Sequence, residues 1–154
     1  MIEVFRTIST LPNYEISSFG RIKTKSRPVR YVHAVTQKEH FRTTEERFLK
    51  VYDNNRTGYK TIILYDENGK AINKTIHRLV AEEFVERDSP EKDVVNHIDG
   101  NKHNNRFDNL EWCTNAYNHE HATKTGLKAT GENIGGSKLN KHCIFAIRGL
   151  LDMG

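Results

Sequence analysis

Residues Val94–His121 read VVNHIDGNKHNNRFDNLEWCTNAYNHEH, and they concentrate histidine, asparagine and turn-forming residues more densely than a purely structural segment requires. Val94–Ile98 is β-branched and half apolar, which predicts a short strand, and Asp99-Gly100 then supplies a turn. A polar loop follows. Leu110–Thr114 alternates as a returning strand, and a helix is predicted to run from there to a stop at Gly126. The order is therefore strand, long loop, strand, helix.

The histidine and asparagine side chains of this stretch indicate hydrolytic chemistry. Residues three apart share a face of a helix, so Asn118 and His121 can point together at the hairpin that carries Asn96 and His97. A histidine with a pKa near ~6.5 can take a proton from water at neutral pH, which favours His97 as a general base. Asparagine oxygens suit hard cations, which favours Asn96 and Asn118 as metal ligands. These residue types predict metal-assisted hydrolysis of a phosphodiester.

The same positions resemble the HNH nuclease motif in its His-Asn-Asn form, most closely that of phage and intron-encoded homing endonucleases. The matching residues are Asn96–Lys102, Asn104-Asn105, Asn109-Leu110, Trp112 and Asn118. The resemblance implies a ββα-metal unit in which His97 is the general base and Asn109 fixes the loop beneath it. It also implies that Asn118 binds a single divalent metal, Mg²⁺ or Mn²⁺, with Asn96 as second ligand. Relatives often carry aspartate at the position of Asn96, so this chain departs from the pattern by one negative charge.

Three histidines near the motif are less clearly assigned. His121 is a possible additional site residue, either as a ligand or in contact with the phosphate, and a surface role is the alternative. His119 should point away from Asn118 by helical phase, and His103 in the loop is expected to be exposed.

The N-terminal part of the chain is predicted to be an antiparallel sheet. Ile2–Phe5 predicts a short strand, and Tyr14, Ile16 and Ile22 are spaced for one face of a sheet with Phe19-Gly20 at the bend. The stretch YEISSFGRI resembles the small modular element found ahead of the nuclease unit in many homing endonucleases. A plain β-hairpin is the compatible alternative.

Residues 21–50 concentrate positive charge, with nine basic residues against three acidic ones, whereas the whole chain nets only +4. Aromatic and histidine side chains are interleaved with the charges, a mixture suited to phosphate contacts, although a solvated charged face is the alternative. Residues around 35–46 exceed what the resemblance requires and are expected to be an inserted loop. The candidate DNA-binding residues are Arg21, Lys23, Lys25, Arg27, Arg30, Arg42, Arg47 and Lys50, together with Lys102 and Lys138 further along.

The segment between the basic region and the motif predicts more sheet and one helix. Phe48–Tyr52, Tyr59–Tyr65 and Ala71–Lys74 read as antiparallel strands, and Thr75–Phe84 carries an apolar helical stripe. This helix again resembles the one that precedes the nuclease hairpin in the family. For His77, at its start, a position at the edge of the core and a DNA contact are equal alternatives.

The C-terminal part is predicted to be an extended tail. Leu127–Ser137 is rich in Gly, Lys, Asn and Ser, as expected of a linker. Asn140 can cap a helix with an apolar stripe from Cys143 to Leu151, which resembles the opening of a C-terminal helix-turn-helix module. A helix docked on the main body or on a second copy is the alternative.

Composition narrows the class of protein. The sequence pI of about 9.1 indicates a polyanionic partner. Two cysteines give no sign of a disulfide framework, which favours a reducing cytoplasm, that of the host cell if a phage encodes the chain. No signal peptide or membrane span is recognisable, so no membrane partner is expected.

Together these features predict an α+β DNA endonuclease that acts on double-stranded DNA as a monomer and nicks one strand. The predicted domains are a β-rich DNA-binding module with a short helix (1–88), a ββα-metal unit (89–126), and an extended, partly helical tail (127–154). Two alternatives remain open, namely a DNA-binding protein whose nuclease site has decayed and an RNA-binding or ribonucleolytic protein.

Overall fold

The computed structural model describes residues 2–127. The chain forms two compact units, Met1–Thr114 and Asn115–Gly154. The fold is α+β, as predicted, with eleven strands and two α-helices in the described part. Lys138, the predicted C-terminal helix and all but the first residue of the predicted linker lie outside the described residues.

An antiparallel sheet of four strands opens the first unit. Its order is β1-β2-β3-β6, with β1 at Phe5–Ile8, β2 at Leu11–Ser17, β3 at Ile22–Thr24 and β6 at Arg47–Phe48. Tyr14, Ile16 and Ile22 are buried, which confirms the predicted inward face. The predicted strand at Ile2–Phe5 is wrong, because β1 begins only at Phe5, which pairs with Ser17, the last residue of β2. Ile2 is 88% exposed.

Two further strands, β4 at Arg27–Val32 and β5 at Glu39–Thr44, form a separate two-stranded ribbon. The inserted loop expected around residues 35–46 is therefore wrong over half of its length, because residues 39–44 form β5. Six residues of each strand pair in register. The segment is rich in valine, tyrosine, phenylalanine and threonine, which favour extended backbone.

A three-stranded sheet follows, with β7 at Tyr52–Asp53, β8 at Lys60–Tyr65 and β9 at Ala71–Thr75. The predicted strands at Tyr59–Tyr65 and Ala71–Lys74 are confirmed to within one residue. The single strand predicted at Phe48–Tyr52 is divided between two sheets, because its first residue pairs with β3 and its last with β8.

The helix α1, Ile76–Phe84, joins this sheet to the hairpin of the motif. The hairpin pairs β10, Val94–His97, with β11, Leu110–Cys113, and a 3₁₀ turn at Phe107–Asn109 precedes the second strand. Trp112 packs against α1, and its indole Nε1 donates hydrogen bonds to the backbone oxygens of Ala81 (3.3 Å) and Val85 (3.2 Å). One apolar core thus holds the N-terminal sheet, α1 and the hairpin together. The second unit begins with α2, Asn115–Lys124.

The turn between β2 and β3 braces the long loop of the motif. The backbone N–H of Phe107 donates to the oxygen of Ser18 at 2.9 Å. Gly20 in this turn has φ +85°, and a Cβ added there would lie 2.9 Å from Cγ2 of Ile76 and 3.3 Å from Cβ of Asn105. Both the backbone conformation and the space therefore require glycine.

We expect Gly20→Ala to lower the free energy of unfolding by about 2–4 kcal/mol, from a left-handed backbone and overpacking together. Gly69→Ala is the matched control, because Gly69 has φ +78° but nothing lies within 4 Å of its added Cβ. The control should lose only the backbone contribution of about 1–2 kcal/mol. Urea denaturation of both variants measures the difference, and equal losses would show that the close approach to Ile76 and Asn105 is immaterial.

Candidate active site

The β10–β11 hairpin positions Asn96 and His97, each only 5% exposed. Successive side chains leave a strand on opposite sides, so the two residues have different neighbours. Asn96 lies opposite Glu111, and its Nδ2 donates to Glu111 Oε1 at 2.8 Å. His97 instead packs towards the rings of Tyr59 and His77.

The protonation of His97 follows from its contact with Asn105. His97 Nε2 lies 3.1 Å from Asn105 Oδ1, and Asn105 Nδ2 donates in turn to the backbone oxygen of His103 at 3.3 Å. An amide oxygen only accepts hydrogen bonds, so His97 carries its proton on Nε2 and leaves Nδ1 with a free lone pair. Burial lowers the pKa of His97, although the Asn105 hydrogen bond opposes it. The lowered pKa favours the neutral form of His97 at pH 7.

Two rings, those of Tyr59 and His77, line one side of this histidine. The ring centroid of His77 lies 5.2 Å from that of His97, and Tyr59 lies 4.5 Å from His77 and 6.0 Å from His97. The ammonium group of Lys102 sits 4.6 Å above the ring of Tyr59 and donates to the backbone oxygen of Thr57 at 2.9 Å. Tyr59, His77 and Lys102, from three separate stretches of sequence, thus lie near the candidate base.

His77 is the most perturbed histidine of the cluster. It is 9% exposed, and its Nδ1 has no hydrogen-bond partner in the described part of the chain. Burial lowers its pKa to about 4, with smaller contributions from His97, Arg78 and Lys102. The burial of His77 agrees with a position at the edge of the core, which was one of its two predicted alternatives. The contact between His77 and His97 was not predicted, because the two residues are twenty positions apart in the sequence.

The loop between β10 and β11 is held by amide hydrogen bonds. Asn109 Oδ1 accepts from the backbone N–H of Asp99 at 3.1 Å, while its Nδ2 donates to Asp99 Oδ1 at 2.8 Å and to the oxygen of Asn104 at 2.9 Å. Asn104 Nδ2 donates to the other oxygen of Asp99 at 2.7 Å. Asn109 therefore contacts the loop, and Asn105 contacts His97. The sequence pattern predicted Asp99 only as a turn residue and predicted no role for Asn105.

Two segments of this chain match known protein families. Residues 74–120 match the family model described as HNH endonuclease, and residues 3–65 match the NUMOD4 motif. The chain therefore contains an HNH endonuclease domain and a NUMOD4 motif. The HNH match begins upstream of the predicted boundary at residue 89 and so includes α1 and His77.

Several named proteins are similar to this chain. It is 36% identical over 131 residues to an HNH endonuclease of Acanthamoeba polyphaga mimivirus, covering 83% of this chain and 32% of that protein. It is 30% identical to the H-N-H endonuclease F-TflII of Escherichia phage T5, covering 89% and 59% respectively. A solved structure of DNA binding and cleavage by the HNH homing endonuclease I-HmuI aligns with a TM-score of 0.58 and 26% identity, over 97% of this chain and 68% of that one. The chain thus spans about a third to three fifths of these two curated relatives.

The candidate metal ligands belong to β10 and α2. Asn96 belongs to the first unit, whereas Asn118 and His121 lie on α2 in the second unit, where His121 stacks on Tyr117. Within residues 2–127, no cluster of three or more His, Cys, Asp or Glu side chains could hold a metal. The amide nitrogen of Asn96 donates a hydrogen bond to Glu111, so the amide oxygen of Asn96 is the atom that could bind a metal. Oxygen ligands suit Mg²⁺.

The candidate DNA-binding residues divide into paired and unpaired cations. Arg21 is paired with Glu3, Lys23 with Glu15 and Glu46, and Arg30 with Glu39, while Lys25 donates to Thr7 at 2.6 Å and lies 3.9 Å from Glu15. Over residues 2–127, no carboxylate lies within ion-pair distance of Arg27, Arg42, Arg47, Lys50 or Lys102. Neither helix of the same range is long and apolar enough to cross a membrane.

Proposed function

We propose that this chain is a site-specific DNA endonuclease that hydrolyses a phosphodiester with His97 as general base and nicks one strand of duplex DNA. The observation that carries the proposal is the His97–Asn105 contact, which leaves Nδ1 of a buried, neutral imidazole as the basic atom. In this mechanism His97 Nδ1 accepts a proton from the attacking water, and Asn105 keeps the ring in the tautomer that can do so. Asn109 holds the loop that carries Asn105.

The family implies a divalent metal, and the donor set supports Mg²⁺ or Mn²⁺. Asn96 and Asn118 would hold it, the former through the amide oxygen that Glu111 leaves available. The assignment of Asn118 depends on the sequence match alone. When bound, the metal would stabilise charge on the phosphate and on the departing oxygen.

A single hairpin with one base faces one scissile phosphate at a time, which is why we propose a nicking monomer that leaves 5′-phosphate and 3′-hydroxyl ends. The test is incubation of the full chain with supercoiled plasmid, with and without Mg²⁺, followed over time. Open circles should accumulate and persist only with the metal. Linear product without an open-circle phase, at a rate that rises with the square of protein concentration, would instead indicate a dimer that cuts both strands.

A second candidate function is DNA binding by a decayed nuclease. The neutral Asn96, where relatives often carry a carboxylate, favours it because it removes one negative charge from the donor set. In that case the plasmid is bound but stays supercoiled in Mg²⁺ and in Mn²⁺. Retained binding without any cutting would therefore select this alternative.

The role of Asn105 gives a specific prediction. Asn105→Ala should lower the cleavage rate about 10–100-fold, as expected for a residue that orients a functional side chain, with DNA affinity unchanged. Asn105→Asp keeps an acceptor oxygen and should recover part of the rate, but its charge should raise the pKa of His97 and move the acid limb of the pH–rate profile to higher pH. Wild-type rates in Asn105→Ala, or an unmoved profile in Asn105→Asp, would remove this residue from the mechanism.

A further inference from the structure

Glu111 lies directly opposite Asn96 in the β10–β11 hairpin. Residues opposite each other in an antiparallel pair share one side of the sheet, and successive residues of a strand alternate between the sides. Asn96 and Glu111 therefore share the side of the hairpin opposite to that of His97. The hydrogen bond from Asn96 Nδ2 to Glu111 Oε1, at 2.8 Å, holds an amide and a carboxylate next to each other on that side.

The charge of Glu111 has no counter-ion in the hairpin. Its side chain is half-buried, and across residues 2–127 no lysine, arginine or histidine lies within ion-pair distance of it. Lys92 is bonded to Asp88 at 2.7 Å instead. The hydrogen bond from the neutral Asn96 uses only Oε1, so Oε2 has no hydrogen-bond donor in the described part of the chain. A partly desolvated carboxylate of this kind favours a bound cation, which compensates for the lost solvation.

A carboxylate is also what the other candidate metal ligands lack. Mg²⁺ is usually bound through one or two carboxylates, several waters and substrate phosphates. The amide oxygens of Asn96 and Asn118 carry no net charge, whereas Glu111 adds one negative charge beside Asn96. Such a site needs no cluster of three His, Cys, Asp or Glu side chains, which residues 2–127 do not contain. The charge whose absence at Asn96 favours a decayed nuclease is therefore present on the adjacent strand.

Resting on the proposed nuclease function, we propose that Glu111 supplies the negative charge of the divalent-metal site. Its Oε1 holds the amide of Asn96 in place, so that the amide oxygen stays available to the cation. Its Oε2 is the carboxylate ligand. The β10–β11 hairpin thus provides one charged and one neutral oxygen ligand for Mg²⁺ or Mn²⁺.

Glu111→Gln separates the charge of this residue from its hydrogen bond. Glutamine keeps an oxygen that can accept from Asn96 Nδ2 but removes the negative charge. The probe is Mn²⁺ alone, and its affinity for the full chain is measured from the electron paramagnetic resonance signal of the free ion. Glu111→Gln should weaken Mn²⁺ binding about 10–100-fold. Glu91→Gln is the matched control, because it removes the same charge from an exposed residue just before β10, and its affinity should equal that of wild type.

A double variant tests whether the charge can be moved across the hairpin. Asn96→Asp combined with Glu111→Gln places the carboxylate on β10 and an amide opposite to it, so the hydrogen bond between the strands can form in the reverse direction. This variant should recover most of the Mn²⁺ affinity that Glu111→Gln loses. Glu111→Ala, which removes both the charge and the hydrogen bond, should bind Mn²⁺ at least as weakly as Glu111→Gln. Circular dichroism checks that all variants are folded.

Several outcomes would overturn the proposal: no binding of Mn²⁺ by wild type, wild-type affinity in Glu111→Gln, equal losses in Glu111→Gln and Glu91→Gln, or no recovery in the double variant. A loss confined to Glu111→Ala would likewise overturn it and leave Glu111 only a positioning residue for Asn96. Plasmid cutting by wild type is scored separately. Cutting with Mn²⁺ affinity that does not depend on Glu111 refutes only the role of Glu111, and Glu111-dependent affinity without cutting refutes only the nuclease.

Discussion

His97→Ala is expected to reduce the single-turnover rate of DNA cleavage by about 10²–10⁴-fold, the usual contribution of a positioned general base. The imidazole acts on water and not on the duplex, so DNA affinity should change less than threefold. Quenched time courses with labelled duplex and excess protein measure the rate, and anisotropy measures the affinity.

His103→Ala is the matched control, because it removes a histidine of the same loop that is exposed and lies 3.4 Å from Asp53. It should cleave within a few-fold of wild type. A His97→Ala protein that retains more than a tenth of the wild-type rate would exclude His97 as the base, whatever the behaviour of the control.

A second large effect is expected on stability, which should fall between pH 6.5 and pH 4 because His77 stays neutral in the folded protein. Its pKa is about 4 when folded, against 6.5 for an ordinary histidine. Above pH 6.5 neither state binds the proton, so His77 makes no pH-dependent contribution. Between the two values the unfolded chain binds the proton and the folded chain does not. The free energy of unfolding should therefore fall by about 3 kcal/mol over this window.

The measurement is urea denaturation of wild type and His77→Gln at pH 7.5 and pH 4.5. His97 also has its pKa lowered by burial, so wild type loses stability from both residues, and the difference between wild type and variant isolates His77. The variant should be less sensitive to acid. Parallel stability–pH curves for the two proteins would show that His77 accepts a proton in the folded state without penalty.

Local patterns in the sequence predicted the elements of the motif but not the contacts between them. The β-branched residues and the Asp99-Gly100 turn predicted the two hairpin strands. The helix predicted to follow them and to stop at Gly126 is α2. The sequence offers four loop asparagines of the same chemistry, Asn101, Asn104, Asn105 and Asn109. Only the folded loop shows that Asn105 contacts His97 while Asn109 contacts Asp99. Residue type alone could not distinguish them.

The rest of the cluster depends on long-range packing. Tyr59 directly precedes β8, and His77 lies at the start of α1. Both residues contact His97 only when the three-stranded sheet and α1 are packed against the hairpin. The β4–β5 ribbon was not predicted for a different reason. A loop was expected around residues 35–46 because the family resemblance does not require this segment. The aromatic and β-branched residues of the segment nevertheless favour strands.

The hydrogen bond from Phe107 to Ser18 and the shared core around Trp112 limit how recombination can exchange parts of this chain. The NUMOD4 match and the HNH match are each one uninterrupted segment, which recombination could exchange between genes. In the folded chain, however, residues from both matches bury one another, including Ile16, Leu79 and Trp112. A crossover between them would join surfaces that had not evolved together and expose apolar side chains on each. These two segments should therefore be inherited as a pair.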